Sequence, residues 1–384
     1  GLGRAGLNRV AAKRAGAGSR PVARCSALFL VHHPKFVQYL QPIAAELTDR
    51  APVWVALQAS LSDQLCMEGQ ACIALAASHS LAGVKALWRP PCPGYGSFFG
   101  QFDALYRLCS EQRPGCVVVA EGNASIDEIM SQVGRLLGIP VLCIQHGWAP
   151  IPHNGFRNWS YAAALMWGEG FADVLKPLNP GQRFMVTGSH ILDSGLDWRP
   201  PERPAVSFFL QAATRTVSPE LWQDFLELIT DTATRCPEAT VRVREHPSHP
   251  LTPGERAWLA RKPNVEFADP ASHSLMDVLR ATSVTVAISS TTILESAAFL
   301  VPPVIYNRTS MPKYSPDVDA LGAGIEVHDR AAALNAIAHL LQDADFLQSF
   351  EPKMLAFRER FFHRFDGRSL GRVVEAIREV AAPS

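Results

Sequence analysis

The stretch from Ser283 to Tyr306 constrains the fold more than any other part of the sequence. It begins with β-branched residues at alternate positions, a pattern typical of a buried strand in a parallel sheet. Four hydroxyl residues follow, and apolar residues then recur at helical spacing until Pro302 and Pro303 end the helix before a second apolar run. A strand, a helix and a strand in this order predict a βαβ unit, the building block of a parallel α/β sheet.

The start of this predicted helix is suited to binding a phosphate group. The first turn of a helix has free N–H groups and carries the positive end of the helix dipole. Ser289, Ser290, Thr291 and Thr292 add hydroxyl donors at the same place. Glu295, one turn further along, is within reach of a ribose hydroxyl beside that phosphate. The alternative is that one hydroxyl simply caps the helix and that Glu295 faces solvent.

The length of the chain predicts two domains of this kind. Its 384 residues exceed the roughly 250–300 at which a single hydrophobic core stops growing. Strands and helices alternate from about residue 25, and the proline-rich segment from Asp197 to Pro204 interrupts them. We therefore predict two doubly wound α/β domains, over residues 25–196 and 205–350, that face a central cleft. Residues 351–384 are predicted to be helical.

Charge and cysteine content exclude several classes of protein. The formal net charge is zero, so nucleic acid is not an expected partner. Residues 1–24, rich in Gly, Ala and Arg, are predicted to be a flexible basic arm or linker; either solvent or anionic lipid could surround it. No apolar run is long enough to span a membrane. Eight cysteines without a CxxC pair favour reduced thiols and a cytoplasmic protein, either free or peripheral at the inner face of the plasma membrane.

Polar residues cluster where the predicted strands end. In open α/β sheets, ligands bind beyond the carboxyl ends of the strands, so these residues are candidates for the functional site. On the first domain they are His32, His33, Glu121, Asn123, Gln145, His146 and Gly147. On the second domain they are His246, Pro247 and the hydroxyl residues from Ser289 to Thr292.

Three of these residues have chemistry suited to catalysis. Glu121 follows an apolar strand, which predicts a raised pKa and the role of general base; capping a helix or pairing with a cation is the alternative. His146 is a second candidate, for contact with an acceptor or for holding its loop. His246 precedes Pro247, which favours an extended backbone, and its imidazole can donate a hydrogen bond to a departing phosphate.

The set of short motifs resembles known glycosyltransferases. Two such halves with a hydroxyl cluster in the second resemble GT-B glycosyltransferases. Glu121-Gly122, His246-Pro247 and Ser289-Ser290 are similar to the acidic-Gly, His-Pro and Ser-Ser/Thr motifs of bacterial sialyltransferases, polysialyltransferases and the Kdo transferases of capsule assembly. Ala120 departs from that pattern, because the acidic motif usually carries a second Asp or Glu there.

The resemblance implies a function and a role for each motif. A sialic acid- or Kdo-like sugar would move from a CMP-activated donor to a surface glycan or glycolipid. Glu121 would act as the base, His246 would assist the departing phosphate, and Ser289 and Ser290 would bind it. No cofactor and no metal is implied. The helices of residues 351–384 would cross back onto the first domain, as they commonly do in GT-B proteins.

Three other functions are consistent with the same residues. Gln145-His146-Gly147 with His246-Pro247 and Ser289-Ser290 also resembles teichoic-acid glycerophosphotransferases that use CDP-glycerol, with His146 as the base. The segment from Ser289 to Glu295 resembles the donor motif of UDP-GlcNAc 2-epimerases, although Thr291 and Thr292 replace its glycines. A GT-B scaffold without activity is the last alternative.

Overall fold

The computed structural model describes residues 26–75, 95–148, 154–193, 201–211, 217–246, 249–308 and 316–381. The predicted basic arm over residues 1–24 lies outside these ranges. Pro247 and residues 197–200 of the predicted interdomain segment also lie outside them.

The first half of the chain forms a parallel sheet of seven strands. Their order is β3-β2-β1-β4-β5-β6-β7. The strands are β1 (Ala27–Val31), β2 (Val53–Ala56), β3 (Cys72–Ala74), β4 (Cys116–Ala120), β5 (Val141–Ile144), β6 (Ala163–Met166) and β7 (Phe184–Val186).

The second half forms a parallel sheet of six strands with a corresponding order, β10-β9-β8-β11-β12-β13. These strands are β8 (Ala205–Phe209), β9 (Thr240–Arg244), β10 (Val265–Ala268), β11 (Val284–Ala287), β12 (Pro303–Tyr306) and β13 (Ile325–Val327).

Thirteen α-helices of the described residues connect and cover the strands. In the first half they are α1 (Pro34–Glu46), α2 (Ala59–Met67), α3 (Tyr95–Gln112), α4 (Ser125–Leu137) and α5 (Glu169–Leu175). In the second half they are α6 (Pro219–Arg235), α7 (Pro253–Leu259), α8 (Leu275–Arg280), α9 (Thr291–Ala298), α10 (Arg330–Gln342), α11 (Ala344–Ser349), α12 (Glu351–Phe362) and α13 (Ser369–Val380).

The central strands are buried on both faces, which is why their sequences are apolar without alternation. Every residue of β1, β4, β5 and β11 is buried. A strand covered by helices on both faces needs apolar side chains at every position. Two doubly wound parallel sheets with helices on both sides confirm the predicted fold class.

A single apolar core continues from one sheet to the other through α12. Trp167 and Phe171 beside the first sheet and Ile293 on α9 belong to the same buried cluster as Phe361 and Phe362. The Trp167 and Phe362 rings stack with centroids 5.3 Å apart. Gly168 permits the approach, because a Cβ there would lie 2.3 Å from the backbone of Phe361. The interface between the two halves is therefore apolar and closely packed.

The last helix, α13, packs on the first sheet. Val373, Val374 and Ile377 belong to the core cluster of β1 and α1. The loop before α13 is fixed by Asp193, whose carboxylate accepts hydrogen bonds from the backbone N–H of Gly367 at 2.9 Å and of Ser369 at 2.7 Å. The first strand and the last helix of the described residues thus belong to the same sheet layer.

Several short elements differ from the sequence predictions. The sequence pattern predicts one helix over residues 345–361, whereas the structure has two, α11 and α12, that meet at Phe350. The sequence patterns do not predict α2, β3, α5, α7 or β13. Each contains nine residues or fewer, too few for a clear periodic pattern. No helix in the described part of the chain combines the length and the apolar character needed to cross a membrane.

Candidate functional site

The two sheets each reverse their strand order at one point, and the predicted site residues lie there. In the first sheet the reversal is between β1 and β4, which His32 and Glu121 directly follow. In the second sheet it is between β8 and β11. Gln211 and Ser289 lie just beyond these two strands, and the Ser289 N–H donates to Gln211 Oε1 at 3.0 Å. Ligands of doubly wound sheets bind at such points.

Glu121 is held between two basic side chains. Its Oε1 accepts a hydrogen bond from Lys35 Nζ at 3.2 Å and lies 3.5 Å from His146 Nδ1. Burial alone would raise the pKa of this carboxyl. The contacts with His146 and Lys35 outweigh that effect and lower the pKa to about 2. The prediction of a raised pKa for Glu121 is therefore wrong, and the group is a carboxylate at neutral pH.

The backbone at Glu121 has an uncommon conformation. Glu121 and Gly122 have φ values of 71° and 72°, in the left-handed region that residues with a side chain rarely adopt. Gly122 is required here for a second reason, since a Cβ would lie 2.3 Å from Cys143 Sγ. The Tyr161 hydroxyl fixes the turn by donating to the Gly122 carbonyl at 3.1 Å. The carboxylate that follows this turn lies beside Lys35 and His146.

In the predicted Gln145-His146-Gly147 segment, Gln145 and His146 have different surroundings. Gln145 is buried, and its Oε1 accepts a hydrogen bond from the backbone N–H of Trp167 at 2.9 Å. The Tyr39 hydroxyl donates to the Gln145 carbonyl at 2.6 Å. Gln145 thus fixes the loop. Because its side chain is buried, little of it is accessible to an acceptor. His146 lies against the edges of the Tyr39 and Phe36 rings, with centroids at 4.7 and 5.1 Å.

The remaining acceptor-side candidates differ in their surroundings. His33 caps α1, because its Nδ1 accepts from the backbone N–H of Lys35 at 3.2 Å, while the residue itself remains exposed. His32 lies close to Glu121, and burial lowers its pKa despite the nearby carboxylate. Asn123 lines a small recess beside Tyr161, next to the Glu121 turn.

The hydroxyl cluster of the second half lies at the start of α9, where the sequence places it. Ser290 is the N-cap residue, and its Oγ accepts from the Thr292 N–H at 3.2 Å. The Thr291 hydroxyl donates to the Trp148 carbonyl at 3.1 Å and lies 3.3 Å from the Trp148 nitrogen. Thr291 therefore joins the second half to the first. The Ser290 hydroxyl also donates to Thr292 Oγ1 at 3.1 Å, so three of the four hydroxyls already have structural partners.

Gly147 marks the place where the two halves meet. A Cβ at this position would lie 3.4 Å from Glu121 Oε1 and 3.7 Å from Thr291 Oγ1. The carboxylate of the first half and the helix start of the second half are thus neighbours across the cleft. The candidate base and the candidate phosphate site face a common space.

Two further groups of the second half act on this space. Glu295 is partly buried, and burial raises the pKa of its carboxyl to about 7. Its charge also acts on Tyr39 of the first half, so the two side chains lie near each other. Burial lowers the pKa of His246 at the end of β9, and the charges of His249 and Lys35 act in the same direction. His246 is thus largely neutral at pH 7.

Within the described residues, no group of three His, Cys, Asp or Glu side chains is arranged to hold a metal.

The sequence analysis missed three residues of this site: Lys35, Tyr39 and Trp148. Lys35 and Tyr39 lie on α1, directly after the predicted His32-His33 pair. A helix starting at a strand end beside two histidines is a signal that could have drawn attention to Lys35. Nothing in the local sequence indicates the partners of Tyr39 and Trp148, which are 106 and 143 residues away.

Known structures resemble this arrangement over nearly the whole chain. A protein of Listeria monocytogenes assigned as a UDP-N-acetylglucosamine 2-epimerase matches with a TM-score of 0.64 and 12% identity, over 93% of this chain and 96% of that one. The UDP-GlcNAc 2-epimerase of Neisseria meningitidis bound to UDP-GlcNAc matches with a TM-score of 0.59 and 15% identity, over 92% and 100%. The calicheamicin glycosyltransferase CalG4 matches with a TM-score of 0.62 and 14% identity, over 93% and 98%.

The chain has the GT-B fold. At these identities the likeness shows the GT-B fold alone. No protein-family model matches the sequence, and a comparison with curated protein sequences gives no match.

Proposed function

We propose that this GT-B protein transfers a sugar from a nucleotide-activated donor to a hydroxyl group of an acceptor. The observation that carries the proposal is the closeness of Glu121, paired with His146, to the start of α9 across Gly147. One side of this space holds a carboxylate and an imidazole, which suit the activation of a hydroxyl. The other side is a helix start with hydroxyl groups, which suits a phosphate. Glycosyl transfer from a nucleotide sugar needs both.

His146 is the general base in this proposal, and Glu121 assists it. With a pKa of about 2, the Glu121 carboxylate accepts a proton poorly at neutral pH. A carboxylate 3.5 Å from an imidazole nitrogen instead orients the ring and stabilises the imidazolium that forms. The acceptor hydroxyl gives its proton to His146, and its oxygen bonds to the anomeric carbon. The bond from that carbon to the phosphate oxygen breaks, and the nucleotide leaves with the electron pair.

The departing phosphate is bound by the second half. The N–H groups at the start of α9 and the hydroxyls of Ser289 and Ser290 stabilise its growing negative charge. His246 donates a hydrogen bond from a neutral ring. Glu295, one turn along α9, lies where a ribose hydroxyl beside that phosphate would be.

We propose a CMP-activated sugar of the sialic acid or Kdo type as the first donor to test, with a surface glycan or glycolipid as acceptor. The support is the resemblance of Glu121-Gly122, His246-Pro247 and Ser289-Ser290 to the motifs of those transferases. Glycerophosphotransfer from CDP-glycerol uses the same His146 base and is tested beside it.

A nucleotide-sugar 2-epimerase is the second candidate function. Its support is the likeness to structures named as UDP-GlcNAc 2-epimerases, one of them bound to UDP-GlcNAc. The two functions differ in a simple way, because an epimerase converts its nucleotide sugar without an acceptor.

A thermal-shift panel with CMP, CDP, UDP, CMP-sialic acid and UDP-GlcNAc tests the proposal. A ligand that binds the folded protein raises its melting temperature by mass action. We expect a rise with the CMP ligands that is lost in the Ser289→Ala/Ser290→Ala double variant. A rise with CDP or UDP instead favours the other two reactions. No rise with any nucleotide would refute the donor site and favour an inactive scaffold.

A further inference from the structure

Lys35 places a positive charge inside the cleft beside the proposed base. Its Nζ lies 3.2 Å from Glu121 Oε1 and 4.6 Å from the centroid of the Phe36 ring. The Lys35 side chain remains 44% exposed, so one carboxylate and one ring leave much of the ammonium group accessible. An ammonium group has three hydrogens to donate, and only one of them is needed for Glu121.

The charge of Lys35 acts on both halves of the protein. It contributes to lowering the pKa of His32 on the first half and of His246 on the second. His246 belongs to the side that faces the donor phosphate, and Glu121 to the side that faces the acceptor. The contact of Lys35 with Glu121 also brings it close to Gly147 and to Thr291 at the start of α9, beside the space where the transferred sugar would be.

We propose that Lys35 recognises a carboxylate on the transferred sugar, so that the donor is a nucleotide-activated acidic sugar. This inference rests on the proposed function. A neutral sugar gives the exposed part of the ammonium group no anionic partner. An acidic sugar gives it one while the contact with Glu121 is kept, through a charge-assisted hydrogen bond.

Two other roles of Lys35 would have different consequences. If Lys35 bound the donor phosphate, its removal would weaken every nucleotide and nucleotide sugar equally. If Lys35 only positioned Glu121, its removal would slow turnover with all donors and leave their binding unchanged. Selective loss of affinity for acidic sugars is expected only from the role that we propose.

The test compares binding of matched donors to the wild-type protein, Lys35→Met and Lys176→Met by isothermal titration calorimetry. UDP-glucose and UDP-glucuronic acid differ at the sugar carboxylate, and CMP with CMP-sialic acid forms a second pair. Methionine keeps the length and apolar body of the lysine stem. Lys176 is the control, because it is similarly exposed at 52% and paired with Glu169 and Asp173, with no contact to Glu121.

We expect Lys35→Met to weaken binding of CMP-sialic acid, or of UDP-glucuronic acid if the site accepts uridine, by about 10- to 100-fold. Binding of CMP, UDP and UDP-glucose should be unchanged, and Lys176→Met should behave as the wild type. Equal weakening of both members of a pair, or of neither, would overturn the inference and leave the proposed function intact. Failure of the wild-type protein to bind any nucleotide would refute the proposed function itself.

Discussion

Asp127 provides a quantitative test of the electrostatics beneath the Glu121 turn. It lies in the first turn of α4, is 0% exposed, and neither carboxyl oxygen has a hydrogen-bond partner among the described residues. Burial raises the pKa of Asp127 from 3.8 to about 8, and the charge of Glu121 contributes in the same direction. In the folded protein this carboxyl is therefore largely neutral at pH 7, whereas in the unfolded chain it is ionised.

The difference in ionisation makes the stability of the protein depend on pH. Between pH 5 and pH 7 the Asp127 carboxyl is mostly protonated in the folded protein and mostly ionised in the unfolded chain. The free energy of unfolding therefore falls as the pH rises. One group contributes about 1.4 kcal/mol per pH unit, which gives about 3 kcal/mol at most over this interval. This contribution is fully present below the pKa of the unfolded chain and is lost by about pH 8.

Substitution Asp127→Asn removes this contribution, because the carboxamide is neutral in both states. Urea unfolding followed by tryptophan fluorescence at pH 5, 6, 7 and 8 should show the variant gaining stability relative to wild type as the pH rises, by up to about 3 kcal/mol from pH 5 to pH 7. Any steric cost of the substitution is the same at every pH, so it cancels when the differences between variant and wild type at different pH values are compared. Asp63→Asn, at an exposed position of α2, is the control. A difference between Asp127→Asn and wild type that stays constant with pH would refute the reasoning.

Three further predictions concern stability and binding. Gly122→Ala should lower the melting temperature strongly, because the added Cβ would clash with Cys143 Sγ and the φ of this residue is positive. Gly254→Ala is the control and should not lower it, because no atom lies within 4 Å of the Cβ that would be added there. Ser290→Ala should cost about 1 kcal/mol in urea unfolding through the lost N-cap, and should weaken nucleotide binding in calorimetry; full affinity would contradict the donor site. Asp193→Ala should cost about 3 kcal/mol, because it removes the acceptor of two backbone N–H groups before α13, and limited proteolysis should then cut that loop.

The sequence predicts the sheets well and the pairing of site residues poorly. Strands such as β4 and β5 are found from local patterns, since β-branched runs with polar ends mark buried parallel strands. The same reasoning correctly predicts that Glu121 and the hydroxyl cluster lie at the carboxyl ends of strands. Helix α7 was missed although Thr252 and Glu255 form a capping box, a signal that is present in the sequence.

The electrostatic state of Glu121 could not be predicted from the residues beside it. An apolar strand behind a carboxyl suggests a raised pKa, whereas Lys35, 86 residues earlier in the chain, and His146 lower it. The ion pair depends on how β1 and β4 are placed together in the sheet, and a local pattern does not contain that information. The role of Gln145 likewise follows from contacts with Tyr39 and Trp167 that only the fold brings about.

The pH dependence of the proposed reaction tests which residue of the pair His146 and Glu121 is the base. A general base accepts a proton only in its unprotonated form, so with an imidazole as the base the rate should fall in acid solution. Glu121, with a pKa of about 2, remains ionised over the whole measurable range. A rate that stayed constant in acid solution, where the Glu121 carboxylate is still ionised, would return the role of base to Glu121.

The most direct test of the central claim is the release of nucleotide from a sugar donor by the wild-type protein, His146→Asn and Glu121→Gln. The donor is the one that the thermal-shift panel selects, measured with and without oligosaccharide acceptors. We predict acceptor-dependent release by the wild-type protein, slower by about 10²- to 10⁴-fold in both variants, with nucleotide binding retained. Conversion of the donor sugar without an acceptor would indicate epimerisation, and wild-type rates in His146→Asn would contradict the proposed dyad.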